Sequence, residues 1–299
     1  MKKAILIIAY IFLFCDVTGG QALNQAFLNS TVLISFKVDP THSSAGTGFL
    51  VFRELKSGKG HIFLVTNKHV LPKEGGEKSI TIRVNTGSED KLQVQQIDVP
   101  IVGKDGRYLP SVKFHPKKDF DVAVVHITED VLKYGIEGTW IPYSLFVTKN
   151  KLKDENITVG DEIFLLGYPD AIYDPRNVSP ILREGIISTI PTEGYAFNET
   201  LREKYGLPEQ IDGFLIDANV FPGSSGSLVI LKQQATTIGP GGETVVSGVK
   251  KIPYVLGIIS DSIPIYDQNL NSYQRMGLGV VYSADTIKET IEQFYPIGK

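Results

Sequence analysis

Short runs of β-branched and aromatic residues, separated by glycine, proline and polar residues, recur along almost the whole chain. Residues 31–36, 61–66, 80–84 and 228–231 are four of these runs, and each has a length typical of a β-strand. Twenty-nine glycines and sixteen prolines are spread among them, which supplies residues suited to tight turns. We therefore predict an all-β protein built from many short antiparallel strands.

One long helix is predicted, near the C-terminus. Over residues 284–294 the side chains of Ile287, Ile291 and Phe294 share one helix face. Ser283 stands where an N-cap residue is expected. The helix should therefore pack one apolar face against the β-structure.

The first residues of the chain have the pattern of a cleaved signal peptide, predicted to be residues 1–22. Lys2 and Lys3 precede an apolar stretch at 4–14, and small and polar residues follow. The apolar stretch is too short to span about 30 Å of hydrocarbon, so a lasting membrane anchor is not expected. We predict export to the periplasm or the medium of a bacterium, with residues 23–299 as the mature chain.

Composition excludes several kinds of site. Cys15, the only cysteine, lies within the predicted signal peptide, so the mature chain has no disulfide, thiolate metal site or cysteine nucleophile. Phe14 precedes it where a lipidation signal would have a small residue. The histidines show no metal-binding pattern, and no cofactor is predicted. A net charge of −3 gives no reason to expect nucleic acid as a partner.

A serine between glycines points most directly to chemistry. The sequence G-S-S-G-S at residues 223–227 runs into an apolar strand. A tight turn there would expose Ser225 Oγ beside backbone N–H groups, which acyl transfer requires of a nucleophile and its oxyanion hole. Ser224 and Ser227 compete for this role, and Gly223, two residues earlier, favours Ser225.

A histidine and an acid stand upstream of this serine in suitable contexts. His69 ends one apolar run, and Asp121 opens another, where a carboxylate is partly shielded from water. Asp119 is the competing acid, but it does not directly precede the apolar run. No histidine follows Ser225, so the chain order histidine, acid, serine is the one that fits comfortably.

Separated sequence motifs surround these three residues. They are A-G-T-G-F-L at 45–50, T-N-K-H-V at 66–70, D-F-D-V-A-V at 119–124, P-G-S-S-G-S at 222–227 and V-L-G-I-I-S at 255–260. In this order they resemble the motifs of trypsin-like serine proteases of the chymotrypsin fold, especially bacterial Deg-type and related secreted endopeptidases. The resemblance covers about residues 45–285, and no PDZ domain is apparent.

The resemblance implies roles for individual residues. Ser225 would be the nucleophile, and His69 the general base and then the general acid. Asp121 would orient His69, and the N–H groups of Gly223 and Ser225 would form the oxyanion hole. Asn219 falls where the family has the floor of its primary specificity pocket.

Other residues near the predicted site bear on substrate binding and on how closely the chain follows the family's pattern. Ser260 lies on the strand that resembles the lining of the substrate cleft, so it is predicted to bind substrate. Asp261, near the rim of the pocket, leaves open a preference for Arg or Lys that the uncharged Asn219 disfavours. The sequence departs from the family at Ser224, where Asn or Asp is usual, and at Ser227, where Gly is usual.

The fold implied by the resemblance is two packed six-stranded antiparallel β-barrels. They would comprise about residues 30–148 and 158–283, joined by a polar connector at 150–155 and followed by a helix at 284–295. Together they would form one trypsin-like serine protease domain, residues 23–299.

Two insertions accompany the second barrel. Residues 193–209 include a predicted helix at 198–205, and residues 233–251 have the pattern of a hairpin whose mobile loop contains 239–242. Both are expected beside the cleft, where they would either set specificity and gating or decorate the surface.

We predict a serine endopeptidase that acts on protein or peptide substrates. The alternative is a catalytically silent or gated binding or scaffold protein of the same fold. The departures at Ser224 and Ser227 and the two insertions are the reasons for considering it. The presence of all three catalytic residue types argues against it, because a binding protein has no need of them.

Overall fold

A computed structural model describes residues 23–86, 93–136, 138, 140–238, 244–250, 252–267 and 272–295. The predicted signal peptide, residues 1–22, and most of the predicted mobile loop, residues 239–243, lie outside the described residues. In the described part of the chain, no helix is long and apolar enough to cross a membrane.

The described residues form mostly β-structure. The strands are β1 (Thr31–Lys37), β2 (Ser43–Glu54), β3 (Gly60–Thr66), β4 (Ser79–Thr86), β5 (Gln93–Pro100), β6 (Val112–Phe114), β7 (Ala123–His126), β8 (Ile141–Pro142), β9 (Glu162–Gly167), β10 (Ile181–Ile187), β11 (Tyr195–Ala196), β12 (Gln210–Ile211), β13 (Gly213–Asp217), β14 (Leu228–Leu231), β15 (Gln234–Ile238), β16 (Thr244–Lys250), β17 (Val255–Asp267) and β18 (Ser272–Ser283). The α-helices are α1 (Gln25–Ser30), α2 (Thr128–Lys133), α3 (Lys149–Asp154), α4 (Glu199–Tyr205) and α5 (Ala284–Glu292).

The second half of the chain closes into a six-stranded barrel, as predicted. Its strand order is β10-β13-β18-β17-β14-β9, and every pairing is antiparallel. The barrel is followed by the C-terminal helix α5, which begins after Ser283 as expected from the sequence.

The first half differs from the predicted six-stranded barrel. Its sheet has eight strands in the order β5-β4-β1-β2-β3-β7-β6, with β8 added in parallel to β2, and the sheet does not close. The chain between β5 and β6 turns back on itself, since Val102 bridges to Tyr108 and the Leu109 N–H bonds to Ile101 O at 2.9 Å. These local bonds take the place of a direct pairing between the two end strands. The structure therefore confirms one closed barrel and not two.

Strands at the centre of the molecule bury both of their faces. On β14, Leu228 and Ile230 join an apolar cluster between the two halves, whereas Val229 and Leu231 point into the barrel's own core. Strands β2, β3, β7 and β9 divide their residues between an internal cluster and the shared one in the same way. This explains why these strands read as continuous apolar runs rather than as an alternating pattern.

Three local expectations have clear outcomes. The polar connector at residues 150–155 is largely helix α3, because Thr148 caps it by accepting from the Lys151 N–H and Leu152 is buried beneath it. The predicted helix of the first insertion is present as α4. The second insertion is a hairpin, since β15 pairs with β16.

Candidate functional site

His69 and Asp121 meet because the strands that precede and follow them are paired. β3 runs antiparallel to β7, with Thr66 opposite Ala123. After β3 the chain forms a single 3-10 turn, Lys68–Val70, which carries His69. The buried Asn67 at the start of this turn donates from Nδ2 to Asp121 O at 2.6 Å, and so fixes the turn to the chain that enters β7.

The His69 ring and the Asp121 carboxylate form a close pair. Nδ1 of His69 lies 2.5 Å from Oδ2 of Asp121, and the His69 backbone N–H donates to Oδ1 at 3.0 Å. The His69 side chain is 53% exposed and that of Asp121 only 22%, so the ring can be reached from solvent while the acid is mostly covered. With Nδ1 donating to the carboxylate, Nε2 is left as the acceptor.

The surroundings of His69 favour its protonated form. Desolvation acts to lower the pKa of His69, but the hydrogen bond and charge of Asp121, together with the charge of Asp261, outweigh it. The pKa is therefore raised above its ordinary value of 6.5. A base of this kind gains a proton readily from a group placed at Nε2.

Ser260 connects the acid to the predicted nucleophile. Its hydroxyl donates to Oδ2 of Asp121 at 2.8 Å, and its carbonyl accepts from Ser225 Oγ at 2.9 Å. Ser260 is itself buried. The structure thus brings His69, Asp121, Ser225 and Ser260 to one place, between the first sheet and the barrel.

The turn that carries Ser225, residues 219–226, is called the serine loop below. Each carbonyl near the nucleophile has a fixed partner: Pro222 O accepts from the Asp170 N–H at 2.6 Å, and Ser224 O from the Ser227 N–H at 2.9 Å. In a trans peptide the N–H points away from the C=O, so these bonds also orient the N–H groups of Gly223 and Ser225. Neither of these two N–H groups has a partner among the described residues.

Gly223 is required by the shape of the loop. Its φ is +79°, a conformation that favours glycine, and a Cβ there would lie 2.6 Å from Tyr168 O and 2.9 Å from Asp170 N. A side chain would therefore push the loop off β9 and the turn after it. The predicted role of Gly223 thus has a conformational basis.

Thr47, at the start of the first motif, supports the loop from the first sheet. Its N–H donates to Ser225 O at 2.9 Å and its hydroxyl donates to Gly223 O at 2.9 Å. The same hydroxyl accepts the Tyr168 N–H at 2.9 Å. Thr47 is fully buried, so both halves of the molecule hold the serine loop in place.

The three neighbouring serines differ in exposure. Ser224 and Ser227 are fully buried, whereas Ser225 is half-buried. Ser227 Oγ has no hydrogen-bond partner among the described residues, and Ser224 Oγ accepts the Phe221 N–H at 3.2 Å. Of the three, Ser225 is the one placed to meet a substrate.

Asn219 and the other candidates have definite positions. Asn219 is exposed at the start of the serine loop, and its carbonyl accepts from Arg183 Nη1. Asp119 O accepts the Tyr282 hydroxyl at 3.2 Å, whereas the acid that bonds to His69 is Asp121. Ser260 contacts Asp121 and Ser225, which is a supporting position, and its role in binding substrate stays a prediction.

Sequence reasoning missed several supporting residues, namely Thr47, Asn67, Tyr168 and Arg183. Thr47 and Asn67 lie inside motifs that the sequence singled out, and their position there is the signal that could have identified them. Tyr168 and Arg183 carry no comparable local signal. No group of three or more potential metal ligands occurs in the part of the chain that the structure describes.

Comparison with solved structures gives matches over nearly the whole chain, at low similarity. The Rv3671c protease of M. tuberculosis in its active form is 18% identical, with a TM-score of 0.47, covering 90% of this chain and 82% of that one. Its inactive form is 19% identical, with a TM-score of 0.45, covering 92% and 91%. Values this low carry no information on function. No curated protein sequence matches the chain significantly.

The family model gives the clearest result. The model of the trypsin-like peptidase domain matches residues 46–239, which is 194 of the 299 residues. This range begins in the first predicted motif and extends past the serine loop. It confirms the resemblance to trypsin-like serine proteases that the motifs indicated, and the chain belongs to the family of trypsin-like peptidase domains.

Proposed function

We propose that this protein is a serine endopeptidase that cleaves protein or peptide substrates through a His69–Asp121–Ser225 triad. One observation carries the proposal. The half-buried Ser225 lies in a loop where two N–H groups, of Gly223 and of Ser225 itself, have no described partner. Ser260 links Ser225 to the Asp121 carboxylate that is bonded to His69 Nδ1. This combination supplies a nucleophile, a base and an oxyanion hole within one site.

The first step of the proposed reaction is attack on the scissile carbonyl. The Ser225 hydroxyl turns from Ser260 O towards His69 and gives its proton to Nε2, while Oγ forms a bond to the carbonyl carbon. Such hydrogen bonds are often absent before substrate binds. The oxyanion that develops is bound by the N–H groups of Gly223 and Ser225.

The intermediate then collapses. The C–N bond breaks, and the leaving amine takes the proton from His69 Nε2, which leaves an acyl group on Ser225. Water then gives a proton to His69 Nε2 and attacks the acyl carbon in the same oxyanion hole. The bond between this carbon and Ser225 Oγ breaks, Oγ takes the proton back from His69, and the acid product leaves. Asp121 keeps the His69 tautomer fixed and stabilises the imidazolium that forms in each step.

We place this activity outside the cytoplasm, on the basis of the signal-peptide pattern at residues 1–22. The uncharged Asn219 in the position of the pocket floor favours substrates without Arg or Lys at the residue whose carbonyl is attacked. The charge of Asp261 acts in the opposite direction.

Labelling with a fluorophosphonate probe, run beside cleavage of a labelled peptide library, tests the proposal. We expect the purified protein to be labelled and to cleave peptides, and Ser225→Ala to do neither, with kcat lower by about 10⁴-fold or more. Ser57→Ala, in the exposed turn between β2 and β3, is the matched control and should behave as the unmodified protein.

Absence of labelling in folded protein would count against the enzyme and favour the binding or scaffold protein. Labelling that persists in Ser225→Ala would show that a different residue is the nucleophile.

A further inference from the structure

Arg183 lies on β10, a barrel strand that is paired with one of its two neighbours, β13, at only two positions. β10 pairs with β9 from Ile181 to Ile186, but with β13 only at Ile186 and Ile187. Beyond these two pairs, the chain that leaves β13 becomes the serine loop. The Arg183 side chain, rather than a backbone ladder, connects β10 to that loop.

The guanidinium group of Arg183 contacts the loop at two points. Nη1 donates to Asn219 O, and Nη2 donates to Ser224 Oγ at 3.0 Å. Ser224 Oγ also accepts the Phe221 N–H at 3.2 Å, so one hydroxyl collects bonds from β10 and from within the loop. The two contacts lie on both sides of Phe221, and the second is adjacent to Ser225.

Arg183 has no acidic partner among the residues that the structure describes. It forms no salt bridge with any described carboxylate, and its Nε is shielded from solvent and has no hydrogen-bond partner among the described residues. Burial lowers the pKa of Arg183, and no nearby acid opposes this effect. A partly buried cation with no described counter-charge is unfavourable, so ordinary packing does not account for arginine at this position.

We propose that Arg183 is a positioning residue for catalysis, which holds the serine loop so that the N–H groups of Gly223 and Ser225 face the oxyanion. The inference rests on the proposed function, in which Ser225 is the nucleophile. A planar guanidinium holds two acceptors of one loop in a fixed relative geometry, which the rotatable donors of a lysine ammonium do not impose. Arg183 touches neither substrate nor reacting atoms in this role.

The role predicts a specific division of kinetic effects. Misorienting an oxyanion donor weakens binding of the transition state far more than binding of the substrate. Loss of Arg183 should therefore lower kcat and leave KM within about twofold of its original value. A residue that only stabilised the barrel would lower the melting temperature and leave kcat of the folded protein unchanged.

Arg183→Met removes the donors while keeping an unbranched apolar stem. We expect kcat and the rate of fluorophosphonate labelling to fall by about 10²-fold, similar to the loss of one oxyanion-hole donor. Arg183→Lys keeps the charge but loses the planar pair of donors. Its kcat and labelling rate should lie between those of Arg183→Met and those of the unmodified protein. Arg107→Met, on an exposed turn of the first sheet, is the matched control and should not change either rate.

A second measurement tests the contact without relying on activity. Ser224→Asp places a carboxylate against the guanidinium, so it should raise the melting temperature when Arg183 is present and lower it in the Arg183→Met background. If Arg183→Met does not fold, Ser224→Ala, which removes one acceptor, should still lower kcat with KM unchanged.

Several results would overturn the inference. Unchanged kcat in folded Arg183→Met, or full activity in Arg183→Lys, would show that the planar pair of donors does not position the loop, while the proposed function would stand. An equal effect of Ser224→Asp in both backgrounds would refute the contact itself. If the unmodified protein is not labelled, the proposed function fails, and the positioning role fails with it.

Discussion

The hydroxyl of Thr47 is expected to be important for both stability and activity. It accepts the Tyr168 N–H and donates to Gly223 O, each at 2.9 Å, and both Thr47 and Tyr168 are fully buried. Thr47→Val replaces this hydroxyl by a methyl group of similar volume. The buried Tyr168 N–H and the partly buried Gly223 carbonyl then lose their partner.

The size of the effect follows from these two groups. Leaving the buried Tyr168 N–H without a partner costs about 1–3 kcal/mol, and losing the partly buried bond to Gly223 O costs about 0.5–1.5 kcal/mol, so Thr47→Val should lower the free energy of unfolding by about 2–4 kcal/mol. Thr47→Ser keeps the hydroxyl and loses only a methyl group, which costs about 1 kcal/mol. The difference between the two variants isolates the hydroxyl from the packing of the side chain.

The same change should affect catalysis. Without its bond from Thr47, the peptide between Gly223 and Ser224 is less firmly held. It lies between the peptides that carry the N–H groups of Gly223 and Ser225, so both N–H groups lose part of their support. We expect kcat of Thr47→Val to fall by up to about 10²-fold, with Thr47→Ser close to the unmodified protein.

Urea unfolding at neutral pH and peptide cleavage on the same preparations measure both quantities. If Thr47→Val and Thr47→Ser have unfolding free energies within about 1 kcal/mol of each other, the hydroxyl does not support the loop as argued. Equal kcat values in the two variants would refute the link between this contact and the oxyanion hole.

Two further predictions concern pH. Asp121 and Asp261 raise the pKa of His69 against the effect of desolvation, so kcat/KM should rise with pH through a value above 6.5. Asp261→Asn should move this rise to lower pH. A pH profile in which the rise does not move contradicts the electrostatic argument. His61 Nδ1 and His126 Nε2 lie 3.0 Å apart, and burial lowers the pKa of both, helped by Lys59 and Arg53 at His61 and by His61 at His126. Both rings are therefore neutral in the folded protein, so their contribution to stability is complete above pH 6.5 and is lost as the pH falls through the lowered values. Urea midpoints between pH 8 and 5 should fall less steeply for His126→Gln, and parallel curves for the two proteins would exclude the pair as the cause.

Much of the site could be predicted from the sequence because its parts lie at the ends of recognisable strands. β3 and β7 are continuous apolar runs, and both were expected as strands that precede or follow His69 and Asp121. Their pairing makes the contact between the two side chains almost unavoidable. The exposure of Ser225 likewise follows from the glycines around it, which set the turn.

The remaining features depend on contacts between residues far apart in the sequence. The connector helix α3 was expected as a polar linker, since only the burial of Leu152 distinguishes it from one. The open edge of the first sheet depends on where the chain between β5 and β6 turns back. Nothing local to Arg183 shows that its side chain crosses to Ser224, 41 residues away.

The role of Ser224, the residue before Ser225, depends on Arg183, which is distant in the sequence. By the family's pattern, Ser224 is a departure that replaces an amide or carboxylate beside Ser225, the proposed nucleophile. In the structure its hydroxyl is fully buried and accepts from both Arg183 and the Phe221 N–H. The short serine side chain can accept this hydrogen bond because the long arginine side chain extends to it from β10. The same guanidinium group also donates to Asn219 O. The two residues should therefore be coupled, and the effect of changing Ser224 should depend on whether Arg183 is present.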